Sequence, residues 1–169
     1  MNPSTAAARV IVDELCRCCV TDVVLSPGSR SAALAIAVAQ AELRGELRLH
    51  VRVDERSAGY TALGIAKVTG VPAAVITTSG TSAINLHPAV VEADESNVPM
   101  LLLTADRPGE LRDVGANQSI SQSHAFGDAT RVTIDVSVPR HEVGQVRYWR
   151  STISRAVAAA TDAVRPGPV

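Results

Sequence analysis

Short apolar runs alternate with longer, Ala-rich or amphipathic stretches along the whole chain. Asp22-Val23-Val24-Leu25, Ala73-Ala74-Val75-Ile76-Thr77 and Val98-Pro99-Met100-Leu101-Leu102-Leu103-Thr104 are near-continuous apolar runs of strand length, and Leu47 to Val53 reads as a further strand. Such runs mark strands covered on both faces. The intervening Ala32 to Gln40, Ser57 to Val68 and Thr81 to about Glu95 read as helices. A first helix, capped by Ser4 or Thr5, runs to about Arg17 with Val10 and Leu15 on its buried side. Arg131 to Val136 reads as a further strand. A last helix spans about His141 to Asp162 and carries Trp149, Ile153 and Val157 on related faces. The alternation predicts an α/β fold: one doubly wound, largely parallel sheet with helices on both faces and right-handed crossovers.

Composition narrows this picture. The chain has 169 residues, enough for one domain with a sizeable core. Hydrophobic residues make up 46% but aromatics only 2%, so the core is built from Ala, Val, Leu and Ile. A formal net charge of −1 gives no basic stripe for nucleic acid or an anionic membrane surface. The apolar runs are too short to span a bilayer, and the first residues lack the basic and apolar regions of a signal peptide. These features point to the cytoplasm. Cys16, Cys18 and Cys19 form an odd-numbered cluster, which argues against a disulfide framework. Their plainest reading is a helix tail of small apolar side chains, although Cys19 stands where a helix end often places Gly. The histidines His50, His87, His124 and His141 show no metal-ligand spacing. His50, within a strand, reads as a hydrogen-bonded core residue.

Four loops fall at the carboxyl ends of expected strands, where doubly wound sheets bind ligands. Ser26-Pro27-Gly28-Ser29-Arg30-Ser31 places Gly where the backbone must bend and brings an Arg to the rim. Asp54-Glu55-Arg56 lies between a strand and the helix with Gly59. Thr77-Thr78-Ser79-Gly80-Thr81 enters a helix N-terminus through small residues. Asp106-Arg107-Pro108 and Gly115-Ala116-Asn117-Gln118 add a guanidinium beside a rigid turn and two amides. Each has an ordinary explanation as a cap, a turn or a solvated pair, and Asp54-Glu55 taken alone is a helix cap. Together, two arginines and one carboxylate at one rim suit a carboxylate-bearing substrate. Dinucleotide, P-loop and G-x-S-x-G signatures are missing.

These loops also carry a resemblance. Ser26 to Ser31, Asp54-Glu55-Arg56, Thr78-Ser79-Gly80-Thr81 with Asn85-Leu86, Leu103-Thr104-Ala105-Asp106-Arg107-Pro108 with Glu110-Leu111, and Gly115 to Gln118 stand in order along the chain. In that order they resemble the pyrimidine-binding domain of thiamin diphosphate enzymes. Within that superfamily they are most similar to the 2-succinyl-5-enolpyruvyl-6-hydroxy-3-cyclohexene-1-carboxylate synthases of menaquinone biosynthesis. The resemblance implies the thiamin diphosphate pyrimidine-binding fold. It implies a transferase that decarboxylates 2-oxoglutarate and adds the succinyl-semialdehyde unit to isochorismate. Glu55 matches the glutamate that hydrogen-bonds N1′ of the aminopyrimidine and drives deprotonation at thiazolium C2. Pro27, Thr78 and Gln118 would join Glu55 around the cofactor. Ser29, Arg30, Ser31, Arg107, Asn117 and Gln118 would meet the substrates.

The resemblance also implies a pyrophosphate-binding domain, with a Gly-Asp-Gly motif, to hold the diphosphate and its Mg2+ or Mn2+, and Gly127-Asp128-Ala129 does not match that motif. Residues 1–169 are therefore expected to be one pyrimidine-binding domain of a longer chain that also carries a central domain. Alone it should be inactive. The cofactor site would be completed by another subunit of a homo-oligomer, a dimer or tetramer. Two alternatives stand beside this: a short pyrimidine-binding subunit of a split thiamin diphosphate 2-oxoacid decarboxylase, and a non-catalytic doubly wound binding module.

Overall fold

A computed structural model describes residues 1–169. The expected strands form at β1 (Asp22–Leu25), β2 (Arg48–Val51), β3 (Ala73–Thr77) and β4 (Met100–Thr104). They make one 4-stranded sheet, in the order β2-β1-β3-β4, with every pairing parallel. Six helices surround it: α1 (Pro3–Arg17), α2 (Ala32–Leu43), α3 (Glu55–Thr69), α4 (Thr81–Ile84), α5 (His87–Glu95) and α6 (Gln145–Ala160).

Alternate strand residues serve two cores, as the period of two in a strand requires. Val23, Leu25, Ala74, Ile76 and Leu101 pack with α1, α2 and α6. Val24, Ala73, Val75 and Met100 pack with α3, α5 and Phe126. Close approach of helix to sheet follows from alanine at the contacts: Ala58, Ala62 and Ala66 of α3 are all buried. Trp149, Ile153 and Val157 lie together on the buried face of α6. No helix is long and apolar enough to cross a membrane.

Several local expectations change. Asn2, not Ser4 or Thr5, caps α1, and its Oδ1 accepts from the Ser4 amide at 2.8 Å. The third helical stretch breaks into α4 and α5 at Asn85-Leu86, because Pro88 in the first turn of α5 has no N–H for a continuous helix. The stretch from Arg131 to Val136 is not a strand. The place beside β4 that it would fill belongs to Gly167–Val169: the amide of Leu102 donates to the Val169 carbonyl at 2.8 Å, and the amide of Val169 to the Met100 carbonyl at 3.0 Å. Arg131 instead braces that segment. Its amide donates to Pro168 O at 2.8 Å. Its buried guanidinium donates to Arg165 O at 2.9 Å and Pro166 O at 2.7 Å and pairs with the Asp94 carboxylate.

Cys19 adopts φ 62°, a left-handed conformation that costs an ordinary side chain. Its thiol is exposed and unpaired. Cys19→Gly is expected to raise stability by up to about 1 kcal/mol, the conformational relief exceeding glycine's added unfolded-state freedom. A urea midpoint at or below that of the wild type would contradict it.

At the opposite end of β1 from the candidate loops, Asp22 is buried. It accepts from Arg48 Nη2 at 2.8 Å and Thr21 Oγ1 at 2.9 Å, and its Oδ1 lies 2.9 Å from His50 Nε2. His50 is hydrogen-bonded as expected but is not a core residue: its side chain is 31% exposed on the edge strand β2. Burial opposes the Asp22 charge, but these hydrogen bonds outweigh it and hold the carboxyl below its ordinary range. A depressed folded-state pKa means that this stabilisation is fully present above the unfolded value, about 3.9. It is lost as pH falls through the lower folded value. Asp22→Asn should cost roughly 1–3 kcal/mol at pH 7 and flatten the acid limb of the stability curve below about pH 4. Parallel acid limbs for the two proteins would exclude Asp22 as the source.

Candidate functional site

In the order β2-β1-β3-β4 the connection from β1 runs outward to β2 and the connection from β3 runs the opposite way to β4, and a crevice for ligands opens at the carboxyl ends of two such neighbouring strands. All four suspect loops lie at this edge, and direct contacts join them.

The loops after β1 and β3 touch at the crevice. The Ser26 amide continues the ladder by donating to Ile76 O at 2.9 Å. Gly28 is extended, with φ −162° and ψ 164°, so a bend does not explain it. A Cβ there would fall 2.4 Å from Thr78 Cβ; the glycine is required by close approach. By strand alternation, Ser26 and Thr77 follow Val24 and Val75 onto the α3/α5 face. The hydroxyls of Ser26, Thr77 and Thr78 are buried without a hydrogen-bond partner.

The loop after β4 folds back over the loop after β3. Ser79 Oγ donates to Gln118 O at 2.8 Å. Gln122 bridges the two loops, its Oε1 accepting from the Gly80 amide at 2.8 Å and its Nε2 donating to Ala105 O at 3.1 Å. Gly80, at φ 79°, has no room for a side chain: a Cβ would lie 3.1 Å from Gln118 Cα. Gln118 is itself held at φ 53° with its side chain exposed.

The loop after β2 supplies the carboxylate. Asp54, not Glu55, caps α3, its Oδ1 accepting from the Ser57 amide at 2.8 Å. That hydrogen bond holds the Asp54 carboxyl below its ordinary range. Glu55 is thereby freed from capping. It is half-buried, and its carboxylate reaches α4, accepting from Ser82 Oγ at 2.6 Å and Asn85 Nδ2 at 3.4 Å.

The remaining sequence-predicted residues divide. Pro27, Ser29 and Arg30 are exposed on the loop after β1, and the Arg30 guanidinium has no ion pair. Ser31 is buried and its hydroxyl donates to Gly28 O at 3.1 Å, so here it braces its own turn. Arg107 does not pair with the neighbouring Asp106. Its Nη2 donates to Asn117 O at 2.6 Å, and its Nε is buried without a partner. Asp106 instead meets Arg112 at 2.9 Å, and Arg112 also reaches Asp135. Two surface concavities lie elsewhere, one along α6 at Arg147 and Ser151, the other between α1 and α2 at Asp13 and Gln40. Neither contains a predicted site residue.

Sequence reasoning missed Ser82, Gln122 and Arg112. Ser82 and Gln122 meet partners 27 and 42 residues away, and Arg112 joins Asp106 to Asp135, the latter 23 residues away; no local spacing announces these contacts.

The rim has what a flat, nitrogen-bearing polar ring requires: unpartnered buried hydroxyls, Gly28 and Thr78 in close approach, and a half-buried carboxylate with lone pairs to spare. No three His, Cys, Asp or Glu side chains converge to ligate a metal. The residues present therefore fit the aminopyrimidine end of thiamin diphosphate.

Fold and rim together define a doubly wound domain whose candidate site lies where the strand order reverses. The chain belongs to the family described as thiamine pyrophosphate enzyme, N-terminal TPP binding domain, which matches residues 5–126. It is 54% identical over 169 residues to the 2-succinyl-5-enolpyruvyl-6-hydroxy-3-cyclohexene-1-carboxylate synthase of Thermobifida fusca (strain YX), covering 100% of this chain and 30% of that protein. Proteins of the same name from Saccharopolyspora erythraea and Mycobacterium bovis (strain BCG / Pasteur 1173P2) are 52% and 50% identical over 169 and 175 residues. They too match 100% of this chain, which covers 30% and 32% of their lengths. The chain thus spans roughly a third of the length of these relatives. Family membership favours thiamin chemistry over an unrelated binding module.

Proposed function

We propose that this chain is the pyrimidine-binding domain of a synthase that decarboxylates 2-oxoglutarate and adds the four-carbon unit to isochorismate in menaquinone biosynthesis. The observation that carries the reading is Glu55, released from capping by Asp54 and presented at the rim of a domain in this family. The name shared by the relatives supports the particular reaction.

Thiamin diphosphate, when bound, supplies an acidic thiazolium carbon and an electron sink for decarboxylation. The residues of this chain do the rest of the work on its pyrimidine half. Glu55 holds a proton against ring nitrogen N1′ and so stabilises the tautomer whose exocyclic nitrogen is basic. Pro27, Thr78 and Gln118 shape the pocket around the ring. Arg30 and Arg107 bind substrate carboxylates through their planar guanidinium forks. Ser29, Ser31 and Asn117 offer neutral hydrogen bonds beside them, Ser31 after release from Gly28 O. Gln118, on the loop that covers β3, lies between cofactor and second substrate.

The diphosphate and a Mg2+ or Mn2+ ion are assigned to a pyrophosphate-binding domain outside these residues, in another subunit of a homo-oligomer, dimer or tetramer. The compartment is the cytoplasm. Isolated residues 1–169 are expected to be inactive.

Supplying the whole protein with thiamin diphosphate, Mg2+, 2-oxoglutarate and isochorismate tests this. Carbon dioxide and the joined product should both appear, and omitting isochorismate should suppress product. Carbon dioxide release from another 2-oxoacid, without use of isochorismate, would support the split decarboxylase instead.

A further inference from the structure

The Glu55 carboxylate begins on α3 but is oriented by another element. Ser82 and Asn85 both reach it from the α4 turn, three residues apart and so on one face. That turn exists as a separate unit because the helix breaks before His87-Pro88. The two contacts are unequal. Ser82 Oγ stands 2.6 Å from Oε1, within the range of a charge-assisted hydrogen bond. Asn85 Nδ2, at 3.4 Å from Oε2, is a long contact. A hydroxyl has one proton, and Ser82 commits it to Oε1. A carboxylate offers about four lone-pair positions, so fixing Oε1 sets the plane of the group while leaving positions for a ligand.

We propose that Ser82 is a positioning residue, whose hydroxyl locks the Glu55 carboxylate in the plane from which it meets ring nitrogen N1′ of the cofactor. The inference rests on the reading of Glu55 given above and deepens it. Ser82 touches neither the ring nor the substrates; it acts through Glu55. Without the hydroxyl, Glu55 keeps only the long Asn85 contact and samples other side-chain rotamers. A fixed orientation also separates Ser82 from a residue that merely ties α4 to α3. A tie would affect all ligands equally, whereas an orienting contact affects only ligands that offer N1′.

Ligand binding by the complete protein tests this, with three probes: thiamin diphosphate, an analogue with carbon in place of N1′, and an analogue with carbon in place of N3′. Calorimetry gives the dissociation constants without any catalytic step. Wild type should bind the N1′-carbon analogue distinctly more weakly than the other two. Ser82→Ala should lose about tenfold in affinity for thiamin diphosphate and the N3′-carbon analogue, with the affinity for the N1′-carbon analogue unchanged. Ser82→Thr, which keeps the hydroxyl, should restore the preference. Equal losses for all three probes, or none, would overturn the role of Ser82. Glu55→Gln run alongside tests the premise separately. If that variant keeps the full wild-type preference for N1′, the reading of Glu55 fails, whatever Ser82→Ala does.

Discussion

Glu55→Gln is expected to slow proton exchange at the cofactor's C2 by roughly 10²–10⁴-fold in the complete, cofactor-loaded protein, the range of a general acid–base contribution. An amide keeps the shape of the side chain and can still accept from Ser82, but it cannot hold a shared proton against N1′. Stability should change little. Glu55 lies in the first turn of α3, where a negative charge contributes only about 0.3–1 kcal/mol through the helix dipole. The capping hydrogen bond belongs to Asp54 and survives the substitution. The reverse pattern, with normal exchange and a clear drop in thermal midpoint, would reduce Glu55 to a structural residue. Nuclear magnetic resonance exchange measurements and thermal unfolding on the same preparations separate the two outcomes.

Arg131→Met is expected to produce the largest loss of stability of any single charge removal in this chain, roughly 3 kcal/mol. The side chain is only 9% exposed. Its guanidinium joins Asp94 to the carbonyls of Arg165 and Pro166, while its amide holds Pro168. Methionine keeps the volume but leaves two carbonyls without donors and Asp94 with only the exposed Arg165 at 3.2 Å. Removing one member of a buried charged cluster leaves the others desolvated and under-paired. The thermal midpoint should fall by about 6–12 °C. Amide exchange at Leu102 and Val169, which pair across this edge, should accelerate. Arg165→Met is the control. That side chain is 65% exposed, and its loss should cost less than about 1 kcal/mol. Equal effects of the two substitutions would refute the clamp.

The two predictions draw on different levels of information. Glu55 was singled out from its position between an apolar run and an Ala/Gly-rich stretch, and from the motif around it. Arg131 looked like the first residue of a strand. Val132, Ile134 and Val136 do alternate as a strand would, yet the seat beside β4 is taken by Gly167–Val169. Alternation reports that a segment suits a sheet. It does not report whether a neighbouring strand is free to pair with it.

The same division runs through the candidate site. The sequence by itself determined the four strands from Asp22 to Thr104, their alternation with helices, the cover of helices on both faces of the sheet, and the four loops of the candidate site. Those follow from periodicity and run length, which are local, and from the rule that parallel strands need crossovers. The sequence did not show the break between α4 and α5 or that the edge strand β2 is left partly exposed. Only the tertiary structure decided that Asp54 caps α3 while Glu55 turns to Ser82, and that Gly28 is demanded by Thr78 rather than by a bend. It also decided that Arg107 holds Asn117 O instead of Asp106, and that Gln122 ties the loop after β4 to Gly80. Each of these is a hydrogen bond or steric contact in which several partners compete for one group. The winner depends on distances of a few tenths of an ångström between segments that meet only after the sheet has formed, and such distances leave no mark on local sequence pattern.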